Sequence, residues 1–173
     1  MKTVYLDHAA TTPIRDEVLE AMLPYLKEQY GNASSVHRFG REAKKALDQA
    51  RETVAEVLNA DFNEIIFTSG GTESNNLAIK GAAQANRKRG NHIITSCIEH
   101  PAVLNPMKEL EKDGFEVTYL PVSEEGLVSV EDFQNALRDD TILVSIMHAN
   151  NEIGTIQPIA AIGKIARDKG VLM

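Results

Sequence analysis

The stretch Glu64-Ile-Ile-Phe-Thr-Ser-Gly-Gly-Thr-Glu-Ser-Asn-Asn-Leu-Ala-Ile-Lys80 decides how this chain is read. Ile65, Ile66 and Phe67 are β-branched or aromatic and predict a short buried strand, Ile65 to Thr68, of a parallel sheet. A Ser-Gly-Gly-Thr turn follows, and a helix is expected from Glu73 to Arg89. Gly70 and Gly71 carry no side chain to keep an anion off the backbone. The helix behind them begins with free N–H groups and the positive end of its dipole. Thr72 and Ser74 add hydroxyl donors. The same pattern also describes a plain strand-to-helix turn in which the glycines only make the bend. Neither Gly-x-x-x-x-Gly-Lys-Ser/Thr nor a Gly-x-Gly-x-x-Gly with an acidic residue about 20 positions on is present, which sets aside nucleoside triphosphate and dinucleotide sites.

Working outward, two more apolar runs open into polar loops. His92-Ile-Ile-Thr-Ser-Cys-Ile-Glu-His-Pro101 carries Glu99 and His100, and Thr141-Ile-Leu-Val-Ser-Ile-Met-His-Ala-Asn-Asn-Glu-Ile-Gly154 carries His148, Asn150, Asn151 and Glu152. Strands are expected at Ile65 to Thr68, His92 to Ser96, Phe115 to Leu120 and Ile142 to Met147. Helices are expected at Glu17 to about Gln29, broken or kinked near Pro24, and at Glu42 to Leu58, Ala102 to Lys112, Val130 to Leu137 and Ile159 to Asp168. Ala43, Ala46, Leu47, Ala50, Val54, Val57 and Leu58 share one face of the Glu42 to Leu58 helix. Alternating strands and helices imply an α/β fold with parallel strands and right-handed crossovers. Ligands of such sheets bind at the carboxyl ends of the strands, so an anion seat, an imidazole and a side-chain amide are expected to meet there.

Five motifs, in order along the whole chain, resemble a pyridoxal-phosphate-dependent cysteine desulfurase of the iron–sulfur-cluster and nitrogen-fixation type, within the class V aminotransferases. They are Tyr5-Leu-Asp-His-Ala-Ala-Thr-Thr-Pro13, Tyr30-Gly-Asn-Ala-Ser-Ser-Val-His-Arg-Phe-Gly40, Thr68-Ser-Gly-Gly-Thr-Glu-Ser74, Glu99-His100 with Ala102-Val103-Leu104, and His148-Ala-Asn-Asn-Glu-Ile-Gly154. The resemblance implies the large domain of a fold-type-I enzyme, three layers around a mainly parallel sheet and truncated here. Residues 1–14 would belong with a small domain and residues 15–173 form the first part of the cofactor domain. It also implies the cofactor pyridoxal 5′-phosphate, with Gly71 and Thr72 on its phosphate, His100 stacked on its ring and moving protons in catalysis, and Asn151 at its phenolic oxygen. Asn150 and Glu152 are similar to residues that support that loop.

By the same resemblance, the aspartate for the pyridine nitrogen, the glutamine beside it, the lysine for the cofactor aldehyde, the sulfur-accepting cysteine and the carboxylate-binding arginine all lie beyond Met173. The isolated chain is therefore expected to be inactive, with its sheet left open near Leu172 and inclined to associate. The complete enzyme implied would convert L-cysteine to L-alanine. Its sulfur would pass to an enzyme cysteine and on to an acceptor or iron–sulfur scaffold protein, and the enzyme would be a homodimer. A selenocysteine lyase or aminotransferase of the same family, or a truncated non-enzymatic binding partner, are the alternatives. Cys97, the one thiol, is expected to be packed or inert rather than the nucleophile. Cys97 and His100 lack the paired spacing of a zinc site, so no metal is expected.

At 173 residues, 43% hydrophobic, the chain can build one real core, and a net charge of −7 argues against nucleic acid or an anionic membrane. One cysteine precludes an internal disulfide, and the absence of a leader or a long apolar run points to a cytoplasmic protein.

Overall fold

The computed structural model describes residues 2–173 and falls into two compact units that meet in sequence at Phe67 and Thr68. The first unit is helical. Helix α1 spans Asp16–Lys27 with Pro24 inside it, and ends one turn beyond the proline. Helix α2 spans Arg38–Leu58, starting a turn earlier than the apolar pattern implied. His37 explains the early start: its Nδ1 accepts the Gly40 N–H at 3.4 Å, satisfying one of the orphan donors of the first turn. Asn59, at φ 50°, closes the helix in the left-handed conformation that its short polar side chain tolerates. The apolar face of α2 stays largely open within the chain. Val57 is 79% exposed, Leu47 39%.

No strand forms at Ile65 to Thr68, contrary to the sequence reading. A 3₁₀ turn, Phe62–Glu64, precedes it, and the backbone then runs extended without a strand partner. Arg51 takes the place of one: its Nε donates to the Ile65 carbonyl at 3.2 Å, and its guanidinium lies 5.3 and 5.2 Å from the ring centroids of Phe62 and Phe67.

The second unit alternates helix and strand: α3 Gly71–Asn86, β1 His92–Ser96, α4 Pro101–Lys112, β2 Glu116–Leu120, α5 Val130–Ala136, β3 Thr141–Ser145 and α6 Ile159–Asp168. The strands form one parallel sheet in the order β2-β1-β3. Leu172 adds a single parallel bridge to Leu143, on the outer side of β3, the edge at which the sheet was expected to be left open.

Strand β1 is buried along its length because its successive side chains feed two cores. Ile93 packs with Ile79, Ala83, Val103, Met107, Leu110 and Phe115 from the side of α3 and α4. Ile94 points the other way, into Leu120, Phe133, Val144, Ile162 and Ala166 from the side of α5 and α6. Three layers result, as a doubly covered parallel sheet requires. Gly90 lets the chain enter β1: a Cβ there would lie 2.1 Å from the Asp140 carbonyl oxygen.

At the amino ends of the strands, His92 is wholly buried. Its Nδ1 lies 2.7 Å from Thr141 Oγ1 and its Nε2 2.8 Å from Thr118 Oγ1, so one ring clamps all three strands. Burial, reinforced by the Arg138 charge and opposed by Asp140 and Glu116, holds its pKa below the ordinary 6.5. The unfolded chain therefore binds the proton more readily, and stability falls as the pH drops below about 6.5 toward the folded value. Urea unfolding measured between about pH 5 and 7.5 should show this loss, and His92→Leu should flatten that part of the profile.

Candidate functional site

The carboxyl edge of the sheet and the start of α3 hold the residues singled out from the sequence. Gly70 is the N-cap of α3 in extended conformation, so the N–H groups of Gly71 and Thr72 open the helix without a carbonyl four residues back. The first backbone bond is Ser74 N–H to Gly70 O at 3.1 Å. A Cβ placed on Gly70 or Gly71 would meet nothing within 4 Å, so this turn is open to an incoming group. Thr68 Oγ1 donates to Gly70 O at 3.2 Å and lies 2.6 Å from Ser74 Oγ, bracing the turn from inside. Glu73 also reaches back, accepting from Ser69 N–H at 2.7 Å and Ser69 Oγ at 2.6 Å. Those bonds hold its carboxyl below the usual range. Ser69 N–H is thereby occupied, and the donors left for an anion are those of the first helical turn with the Thr72 hydroxyl.

His100 ends the β1 loop and is the N-cap of α4, with Pro101 in the first helical position. Its Nδ1 accepts from Ala102 N–H at 3.0 Å. In the neutral ring the proton therefore sits on Nε2, and the ring itself is exposed. Thr72 and His100 line one depression of about 400 Å³, together with Asn76, Ala102, Asn105 and Glu109. Lys80 neutralises Glu109 through a close ion pair. The structure thus brings Thr72 and His100 together, with Gly71 beside Thr72 in the chain.

Asn151 stands outside that depression, exposed on the loop after β3, where its Nδ2 donates to Glu152 Oε1 at 2.9 Å. Its neighbour Asn150 is buried and holds the loop: Oδ1 accepts from Glu152 N–H at 2.8 Å and Ile153 N–H at 3.1 Å, and Nδ2 donates to Ile98 O at 3.2 Å. Asn150 thus ties the loop together, whereas the Glu152 side chain accepts a hydrogen bond from Asn151. Gln157, unremarked in the sequence, is buried and braces the far end of the loop: Oε1 accepts from Val128 N–H at 2.9 Å and Nε2 donates to Gly126 O at 2.6 Å.

Cys97 is exposed rather than packed, correcting the expectation. It is the first residue past β1, in the turn that leads to His100, where neither core reaches. Among the described residues no three His, Cys, Asp or Glu side chains converge as metal ligands, and both nitrogens of His92 are already engaged by threonines. No described helix is long and apolar enough to cross a membrane.

Glu99 is the buried carboxylate of the site. Its Oε1 accepts from Ser96 Oγ at 2.7 Å and from Met147 N–H at 2.9 Å. Burial pushes its pKa above the ordinary 4.5, and the two bonds only partly offset that. A carboxyl raised in the fold favours the folded state fully below the unfolded value, and that contribution is lost as pH rises through the folded one.

The structure thus combines a three-layer α/β fold around a parallel sheet with a helix N-terminus and a strand-end histidine on one depression. The chain belongs to the class-V aminotransferase family, whose model matches residues 4–173. It is 62% identical over 167 residues to the cysteine desulfurase IscS of Dictyoglomus turgidum, covering 96% of this chain and 42% of that protein. It is 60% identical over 170 residues to the cysteine desulfurase IscS of Methanosarcina thermophila, covering 98% and 42% respectively. The chain thus spans about two fifths of the length of these relatives. Among solved structures, a NifS-like protein superposes with TM-score 0.91 at 48% identity, covering 96% of this chain and 46% of that one. The apo cysteine desulfurase of Thermococcus onnurineus gives TM-score 0.86 at 31% identity, covering 97% and 42%.

Glu99→Gln keeps an oxygen for both bonds and removes the charge that burial penalises. The variant should be more stable than the parent at pH 7, and the difference should shrink as the pH is lowered toward 4.5. Urea midpoints at the two pH values give the comparison.

Proposed function

We propose that this chain supplies the phosphate seat and ring contact of a pyridoxal-phosphate-dependent cysteine desulfurase. The supporting observation is that Thr72, on the first turn of α3, and His100 line the same depression. Glycine turn, helix N-terminus and hydroxyl suit the dianionic phosphate of pyridoxal 5′-phosphate, the cofactor of this family. When bound, that cofactor supplies an electron sink for bond breaking beside the amino acid's α-carbon.

In this reading Gly71 and Thr72 hold the phosphate through backbone N–H and hydroxyl. His100 lies against the pyridine ring. Its Nδ1 is kept by the Ala102 N–H, leaving Nε2 as the atom that gives or takes a proton. Asn151 offers an amide donor from the neighbouring loop, toward the ring's phenolic oxygen. Residues 15–173 are the first part of the cofactor domain, and residues 1–14 go with a small domain. The complete enzyme acts in the cytoplasm as a homodimer, converting L-cysteine to L-alanine and passing sulfur to an acceptor or iron–sulfur scaffold protein.

The 173 residues by themselves do not carry the whole reaction in this reading. Lys80 is paired with Glu109, and neither it nor Lys164 matches the family's cofactor-binding lysine. With L-cysteine and pyridoxal phosphate the chain should release no sulfide above a protein-free control, and borohydride reduction should label no single lysine. Stoichiometric labelling of Lys80 or Lys164 would contradict this.

Cofactor affinity is the more direct check. Pyridoxal phosphate should bind the chain reversibly, as followed by absorbance titration. Thr72→Ala should weaken it roughly tenfold, about 1.4 kcal/mol, near the lower edge of what one hydrogen bond to a charged group contributes. An unchanged affinity in Thr72→Ala and in His100→Ala would place the cofactor elsewhere.

A further inference from the structure

The loop that follows β1 and the loop that follows β3 carry His100 and Asn151, yet the sheet itself does not hold them together. Ladder pairing between the two strands ends at Thr95 and Ser145. Beyond that point two side chains take over. Glu99, from the first loop, accepts the Met147 N–H of the second at 2.9 Å. Asn150, from the second, returns a bond to the Ile98 carbonyl of the first at 3.2 Å. Both side chains are buried, Glu99 6% and Asn150 8% exposed, and each is anchored at its own root. Glu99 also accepts from Ser96 Oγ at 2.7 Å, and Asn150 Oδ1 also accepts from the N–H groups of Glu152 and Ile153.

A carboxylate is an expensive group to bury, and an apolar side chain would fill the space at lower cost. What an apolar side chain does not supply is an acceptor for Met147 N–H beyond the last rung of the ladder. Glu99 Oε1 takes both of its bonds. Among the described residues no buried side-chain nitrogen or oxygen lacks a partner.

We propose that Glu99 is a positioning residue which, with Asn150, locks the two strand-end loops into one rigid unit and so sets the spacing of His100 and Asn151. The proposal rests on the cofactor reading above. His100 follows Glu99 directly and caps α4 through Ala102 N–H, so a shift at residue 99 is passed to the imidazole at once. Asn151 follows Asn150 in the same way. Each reciprocal bond therefore anchors the residue next to a proposed cofactor contact.

The test uses the 173-residue chain and its variants Glu99→Ala, Glu99→Gln, Asn150→Ala and the Glu99→Ala/Asn150→Ala double variant. Two quantities are read: amide hydrogen exchange at Met147, and the dissociation constant of pyridoxal phosphate by absorbance titration. Glu99→Ala should speed Met147 exchange and weaken pyridoxal phosphate, each about tenfold or more, and Glu99→Gln, which keeps the acceptor oxygen, should restore both. The double variant should bind little worse than either single one, because both bonds serve one lock. Unchanged Met147 exchange in Glu99→Ala would overturn the proposal. So would equal weakening in the alanine and glutamine variants that merely follows their melting temperatures. Should the parent chain bind no pyridoxal phosphate, the cofactor reading fails on its own. The lock then stands or falls on Met147 exchange, which must rise in the alanine variant and recover in the glutamine one.

Discussion

Everything in the second unit depends on β1 lying between two parallel neighbours. A parallel ladder sends all three strands in one direction, so their carboxyl ends open on one edge and every return must cross by a helix. Since β1 is buried on both faces, each helix has a defined side to cover, and α3 and α4 share the Ile93 face. That shared face is why the start of α3 and the start of α4 come close enough for Thr72 and His100 to line one depression.

The two ends of the sheet solve opposite problems. At the amino end a single neutral imidazole joins β2, β1 and β3 through two threonine hydroxyls, and nothing there needs to move or open. At the carboxyl end the ladder between β1 and β3 stops at Thr95 and Ser145, and the backbone no longer fixes the loops. Glu99 and Asn150 replace rungs of the ladder with side-chain bonds. The histidine is held neutral by burial, and the carboxylate is likewise penalised in its charged form. Both ends thus keep a titratable group whose uncharged state suits the interior.

The apolar runs and their punctuation made β1 readable to the residue, and β2, β3 and the helices of the second unit readable to within about a turn, because local pattern and tertiary burial agree there. Ile65 to Thr68 was misread because a β-branched and aromatic run has the composition of a strand whether or not a partner accepts it. Here Arg51, 14 residues earlier, engages the Ile65 carbonyl. Cys97 was misread for a related reason: residue type favours burial, but one step past the strand end the chain turns out of both cores. Of the motifs singled out in the sequence, those at Thr68 to Ser74 and at His100 meet at one depression, whereas Asn151 stands outside it. The Glu99 bond to Met147 was not legible in the sequence, since it joins residues 48 apart and a backbone N–H carries no sequence signature. A glutamate preceding a histidine just past the strand His92–Ser96 is the one hint a sequence offers.

In the proposed cofactor seat, the first turn of α3 and the cap of α4 hold one molecule. A crystal structure of the chain soaked with pyridoxal 5′-phosphate tests it most directly. Phosphate density should lie against the backbone of Gly71 and Thr72, with the ring beside the His100 imidazole. Density at another site, with this turn empty and His100 uncovered, would contradict it.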